Sequence, residues 1–158
     1  MHVAQLLLRM ELPSDVEVID GGTGGFELID HVKGKSKVVI VDCFEANAKP
    51  GSVARLTLDE LSLQRPSPFS VHEGGIQELL RQVQNLVSPP EVVVLGVVPA
   101  TSDQPGMNLS EEVESQMPKI VSAVLYEVGR AEPALAFDDA PFDLGGGDDL
   151  FYRSSSPL

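Results

Sequence analysis

Two uninterrupted apolar runs dominate the hydropathy pattern. Lys37-Val38-Val39-Ile40-Val41-Asp42-Cys43 and Glu91-Val92-Val93-Val94-Leu95-Gly96-Val97-Val98 are rich in β-branched residues. Such runs predict strands covered on both faces, and the first reads as the central strand. Val16-Glu17-Val18-Ile19-Asp20 alternates and closes on an acid, which predicts another strand. Val53 to Leu58 also alternates, as an edge strand with one solvated face would. Helical stripes separate these segments. Met1 to Met10 places Val3, Leu6, Leu7 and Met10 on one face, and Phe26 to Val32 is a short helix. Glu73 to Val87 carries a stripe of Ile76, Leu79, Leu80, Val83, Leu86 and Val87, stopped by Pro89 and Pro90. The last helix uses Val113, Met117, Ile120, Val121, Val124, Leu125 and Val128. Asn108 with Glu111 gives it a capping-box pattern, and Pro118 predicts a kink. Asp59 to Val71 holds Pro66 and Pro68 and is expected to be largely irregular. The order helix, strand, helix, strand, strand, helix, strand, helix predicts an α/β protein with a mostly parallel sheet between two helical layers.

Length and composition narrow the classes. A chain of 158 residues fits one domain, assigned to residues 1–130. Residues 131–158 change character: from Glu132 onward there are six acids, one base, three consecutive Gly and a Ser-Ser-Ser-Pro end. That composition predicts a disordered tail. The net charge of −13 and pI near 4.4 argue against nucleic acid or an anionic membrane as partner. No apolar run reaches membrane-spanning length, and Met1 to Leu6 lacks the features of a signal peptide. The single Cys43 excludes an intrachain disulfide and suits a reducing, cytoplasmic setting. Helix Met1–Met10 opens without a capping residue or an acidic first turn.

Candidate chemistry follows the strand ends. Ligands of open α/β sheets collect outside the carboxyl ends of the strands, which singles out Asp42. His72, in the loop Phe69 to Gly75, is the best candidate to work with it. Gly21 to Gly25 follows a strand and precedes a helix, yet the dinucleotide spacing fails because its last glycine falls on Glu27. Gly34-Lys35-Ser36 leads into a strand instead of a helix and is no phosphate loop. Cys43 should face away from Asp42 and belong to the core. Glu45 and Glu73 read as solvated acids, and no general base stands out. Taken alone, Asp42 and His72 would be a strand-end acid and a loop histidine.

Five segments carry a resemblance. Val18-Ile19-Asp20-Gly21-Gly22-Thr23, Val39-Ile40-Val41-Asp42, Ser70-Val71-His72, Leu95-Gly96-Val97-Val98-Pro99 and Leu109-Ser110-Glu111-Glu112-Val113 resemble the hydrogenase maturation endopeptidases. The similarity runs from Met1 to about Arg130. It implies a three-layer α/β/α sandwich with a mostly parallel sheet. It also implies removal of a C-terminal extension from a nickel-loaded nickel–iron hydrogenase large-subunit precursor. Asp42 and His72 match two of the family's three metal-associated residues. The nickel is carried by the substrate, so no tightly held cofactor is expected. Asp20, Gly21, Gly22 and Thr23 match a loop that either contacts substrate or forms a tight turn. The family's first strand and first acidic ligand, roughly 15–25 residues by ordinary element lengths, have no counterpart here. The first strand is therefore expected to be missing, leaving a marginally stable or self-associating protein unless another segment fills the gap.

Imidazole and carboxylate suit nickel, and substrate thiolates could complete its coordination. The alternatives are a non-catalytic protein that binds the same precursor, and an unrelated binder of a phosphorylated ligand at Gly21 to Gly25.

Overall fold

The computed structural model describes residues 1–22, 24–44, 46–63, 75–100 and 109–129. Helix α1 (His2–Leu7) is followed by a connection, a 3₁₀ turn at Phe26–Leu28 and α2 (Ile29–Val32). Then come β1 (Lys37–Cys43), β2 (Val53–Thr57), α3 (Leu58–Leu63), α4 (Ile76–Gln84), β3 (Glu91–Val97) and α5 (Glu111–Glu127). The three strands form one sheet in the order β1-β3-β2. β1 runs parallel to β3, pairing Lys37 with Glu91 through Cys43 with Val97. β2 runs antiparallel to β3, pairing Val53 with Val97 and Thr57 with Val93.

Side-chain alternation along the strands builds a core on each face. Val92, Val94, Ala54, Leu56 and Phe44 pack with Ile29 and Val32 of α2 and Leu79, Leu80 and Val83 of α4. On the other face Val53, Val93, Leu95 and Val97 pack with Leu7 of α1 and Val113, Met117, Ile120, Ala123 and Val124 of α5. This is the expected α/β/α layering.

Four expectations need correction. The central strand is β3, whose residues after Glu91 are all buried, whereas β1 is half-buried along its length. β1 is an edge among the described residues because only β3 pairs with it. Val16 to Asp20 has no regular secondary structure and joins no ladder. β2 is an edge strand as expected, yet both its faces are covered, with Val53, Ala54 and Leu56 buried. Asp59 onward is not wholly irregular, because α3 forms there. Its signal is a capping box: the Glu60 carboxylate accepts from Thr57 N–H at 2.7 Å and Thr57 Oγ1 at 2.8 Å, and Glu60 N–H donates to Thr57 Oγ1 at 3.4 Å.

The helices differ from expectation in detail. In α1 Leu7 is buried, but Leu6 and Met10 are exposed. Val87 lies beyond α4 and is fully exposed, so it leaves the stripe. Ser110 caps α5, its Oγ accepting from Val113 N–H at 3.3 Å. Asn108 lies outside the described residues, as do Pro66, Pro68 and the tail. Pro118 sits inside α5, which continues through it.

One buried acid ties the layers together. Glu127, at the end of α5, has a side chain 2% exposed. It accepts from Arg55 Nε at 2.6 Å, Arg55 Nη2 at 3.2 Å and Lys37 Nζ at 2.8 Å. Lys37 also pairs with Glu91 at 3.0 Å. Burial opposes ionisation of Glu127, but the hydrogen bonds and charges of Arg55 and Lys37 outweigh it and lower the pKa. Sequence reasoning gave no role to Glu127, although an acid within an apolar helical stripe was its visible signal.

Candidate functional site

Asp42 lies near the carboxyl end of β1, opposite Gly96 of β3. It is half-buried, and its Oδ1 accepts from the next residue's N–H, Cys43 N, at 2.8 Å. Alternation puts it on the α2–α4 face, the face of Val38 and Ile40. Phe44 follows, is 0% exposed, and donates its N–H to Val97 O at 3.1 Å, which holds β1 and β3 in register beyond Asp42.

Gly96 is glycine because Phe44 occupies the space beside it. A Cβ there would stand 2.6 Å from Phe44 Cδ1 and 2.9 Å from Cγ. Gly96→Ala should therefore push the ring aside and destabilise the protein by about 1–3 kcal/mol. Chemical denaturation followed by circular dichroism would measure it, and an unchanged midpoint would contradict the close packing.

The Asp20 loop is a tight turn. Asp20 Oδ1 accepts from Gly22 N–H at 3.2 Å, Gly22 has φ +53°, and Gly24 N–H donates to Gly21 O at 2.9 Å. The Met1 ammonium lies 3.7 Å from Asp20 Oδ1. That ammonium also acts electrostatically on the Cys43 thiol. Met1 thus stands beside the Asp20 turn. Thr23, His72, Glu45 and Glu73 lie outside the described residues.

Cys43 alternates away from Asp42 along β1, as expected, but it is exposed instead of belonging to the core, because among the described residues no strand pairs with that edge of β1. Enough protein surrounds its sulfur that desolvation, aided by the Asp42 carboxylate, raises the thiol pKa. A thiol held protonated is a poor nucleophile. A shallow groove lined by Ile29, Asp30, Lys33, Gln82, Asn85 and Leu86 lies at the opposite, amino end of β1. Among the described residues no three His, Cys, Asp or Glu side chains cluster as a metal site. No helix among them is long and apolar enough to cross a membrane.

Comparison with known proteins agrees with the fold. Residues 1–127 match the family model HycI, hydrogenase maturation protease. The chain is 28% identical over 125 residues to the hydrogenase 2 maturation protease of Escherichia coli, covering 78% of this chain and 76% of that protein. It superposes on the crystal structure of hydrogenase 2 maturation peptidase from Thaumarchaeota archaeon SCGC_AB-539-E09 with TM-score 0.59 and 32% identity, over 82% of this chain and 86% of that one. The NiFe hydrogenase maturation protease HybD from Thermococcus kodakarensis gives TM-score 0.63 and 25% identity, over 80% and 85%. With four-fifths of its length matched in a single continuous span, the chain belongs to the hydrogenase maturation protease family.

Proposed function

We propose that the protein is an endopeptidase that removes the C-terminal extension from a nickel–iron hydrogenase large-subunit precursor after nickel has been loaded. Asp42 and His72 are assigned as protein ligands to the nickel borne by the substrate, with substrate thiolates supplying the rest of its coordination. Asp20, Gly21, Gly22 and Thr23 are assigned to contact with the substrate chain, with Asp20 to Gly22 in the tight turn. The observation carrying this reading is the position of Asp42: a half-buried carboxylate at the carboxyl end of a parallel strand, where α/β sheets place their ligands. Its Oδ1 is turned to the backbone of Cys43, which fixes the carboxylate's orientation. Metal recognition explains how such a protein would distinguish loaded from empty precursor without a resident cofactor. An acidic surface, at net charge −13, suits a basic segment of the partner.

Incubating the protein with nickel-loaded and nickel-free precursor tests the reading. Mass spectrometry should show loss of the extension only from the loaded form, and His72→Ala should stop it. Cleavage of both forms alike would remove the metal from the recognition step. Capture without cleavage is the second reading, favoured by an edge of β1 beside Asp42 that no other strand pairs with among the described residues. A loaded precursor retained by the protein and left uncut would establish it.

A further inference from the structure

On the α2–α4 face, the row of side chains at the carboxyl end of the sheet is emptied of bulk. Paired residues of neighbouring strands point to the same face. The successive rows there are Val38–Val92, then Ile40–Val94–Leu56, then Asp42–Gly96–Ala54. The first two are filled by branched side chains packed in that core. The third sets a carboxylate, an absent side chain and a methyl group side by side. Phe44 takes the vacancy at its centre. A Cβ built on Gly96 would meet Cδ1, Cγ and Cε1 of that ring at 2.6, 2.9 and 3.0 Å, before any other atom.

The ring is held in place by the backbone beneath it. β1 ends at Cys43, yet Phe44 N–H donates to Val97 O at 3.1 Å, so the pairing with β3 runs one residue further. Phe44 is also wholly buried. Neighbouring strands lie about 5 Å apart, so a ring seated over Gly96 stands about that far from the Asp42 Cβ. A carboxylate leaning toward β3 would run into it. From the backbone side, Cys43 N–H holds Oδ1 at 2.8 Å. Among the staggered wells open to the Asp42 side chain, the ring closes the one directed at β3, and the hydrogen bond selects from the rest.

We infer that Phe44 is a positioning residue for the Asp42 carboxylate, and that position 96 is glycine in order to admit its ring. The inference rests on the assignment of Asp42 to the nickel borne by the substrate. A metal ligand depends on neighbours that fix its orientation, and here an aromatic side chain supplies part of that support. A flat, rigid ring presents a continuous wall, which leucine of similar apolarity does not. A plain core plug would give Phe44 the same effect on stability. The two roles therefore separate only when stability is restored without the ring.

Gly96→Ala combined with Phe44→Leu supplies that case. Leucine leaves room for the added methyl, so the double variant should melt near the unsubstituted protein, while Gly96→Ala alone melts lower. Processing of nickel-loaded precursor should nonetheless stay about 10-fold slow in the double variant. A second measurement does not depend on that rescue: Phe44→Leu added to Asp42→Asn should slow processing no further than Asp42→Asn alone. NMR of the precursor-free protein reads the same geometry. The Cys43 amide should exchange about 10-fold faster in Phe44→Leu and in the double variant, with amides in the middle of β3 unchanged. Processing that recovers together with melting temperature would overturn the inference, as would additive losses in the Asp42→Asn background or an unchanged Cys43 amide. Full processing by Asp42→Asn would instead remove Asp42 from the nickel, and the Cys43 amide would still decide whether Phe44 orients it.

Discussion

Glu127→Ala should cost about 3–5 kcal/mol of stability, because it leaves Arg55 and Lys37 beneath α5 without the buried carboxylate that bridges them. Arg55 and Lys37 come from the two outer strands of the described sheet, and Glu127 joins them. Urea denaturation would show the loss as a large fall in midpoint. Replacing all three residues with apolar ones of similar volume should restore much of it, since the desolvation cost then disappears with the charges. The same network sets a pH dependence. Glu127 has a lowered pKa in the folded state, so its contribution is full above the ordinary glutamate range, near about 4.3, and disappears as pH falls through the lower folded value. Lys37 has a raised pKa: burial opposes its charge, but the Glu127 and Glu91 carboxylates prevail. Its contribution is full below about 10.4 and is lost as pH rises through the folded value. In Glu127→Gln the acid-side loss should flatten, and an unchanged acid limb would place the sensitive carboxylate elsewhere.

Asp42→Asn should lower precursor processing by about 10–100-fold or more while leaving the fold intact. Asparagine keeps an oxygen able to accept from Cys43 N–H, so the strand end is preserved, but it removes the negative charge that the proposed role requires. Timed mass spectrometry of nickel-loaded precursor measures the rate, and thermal melting supplies the control. Full activity in Asp42→Asn would remove this carboxylate from the site. A collapse of melting temperature together with activity would make its role structural.

The layering was legible because β-branched runs and helical stripes have distinct periods. Val92 to Val97 and the Leu79–Leu80–Val83 face read correctly for that reason. Strand position was not legible, since β1 and β3 are equally apolar and only pairing distinguishes edge from centre. The Thr57–Glu60 box was present in the sequence but obscured by the prolines that follow it. Val87 shows the reverse failure: an apolar residue in phase with a stripe lies past the last helical turn and gains nothing from it. The place of Asp42 near a strand end was legible from the run that precedes it. The Gly96–Phe44 contact was not, because it joins residues on two strands distant in sequence.

The paired cations have a consequence for how the molecule meets another. Lys33 with Asp30, Lys35 with Glu17, Arg81 with Glu78, and Lys37 with Glu91 and Glu127 hold four cations against five acids. Cations held in this way neutralise their neighbours, and the excess of 24 acids over 11 bases falls on the rest of the chain. A basic partner surface would be drawn in before contact, and added salt should slow that encounter far more than it hastens departure.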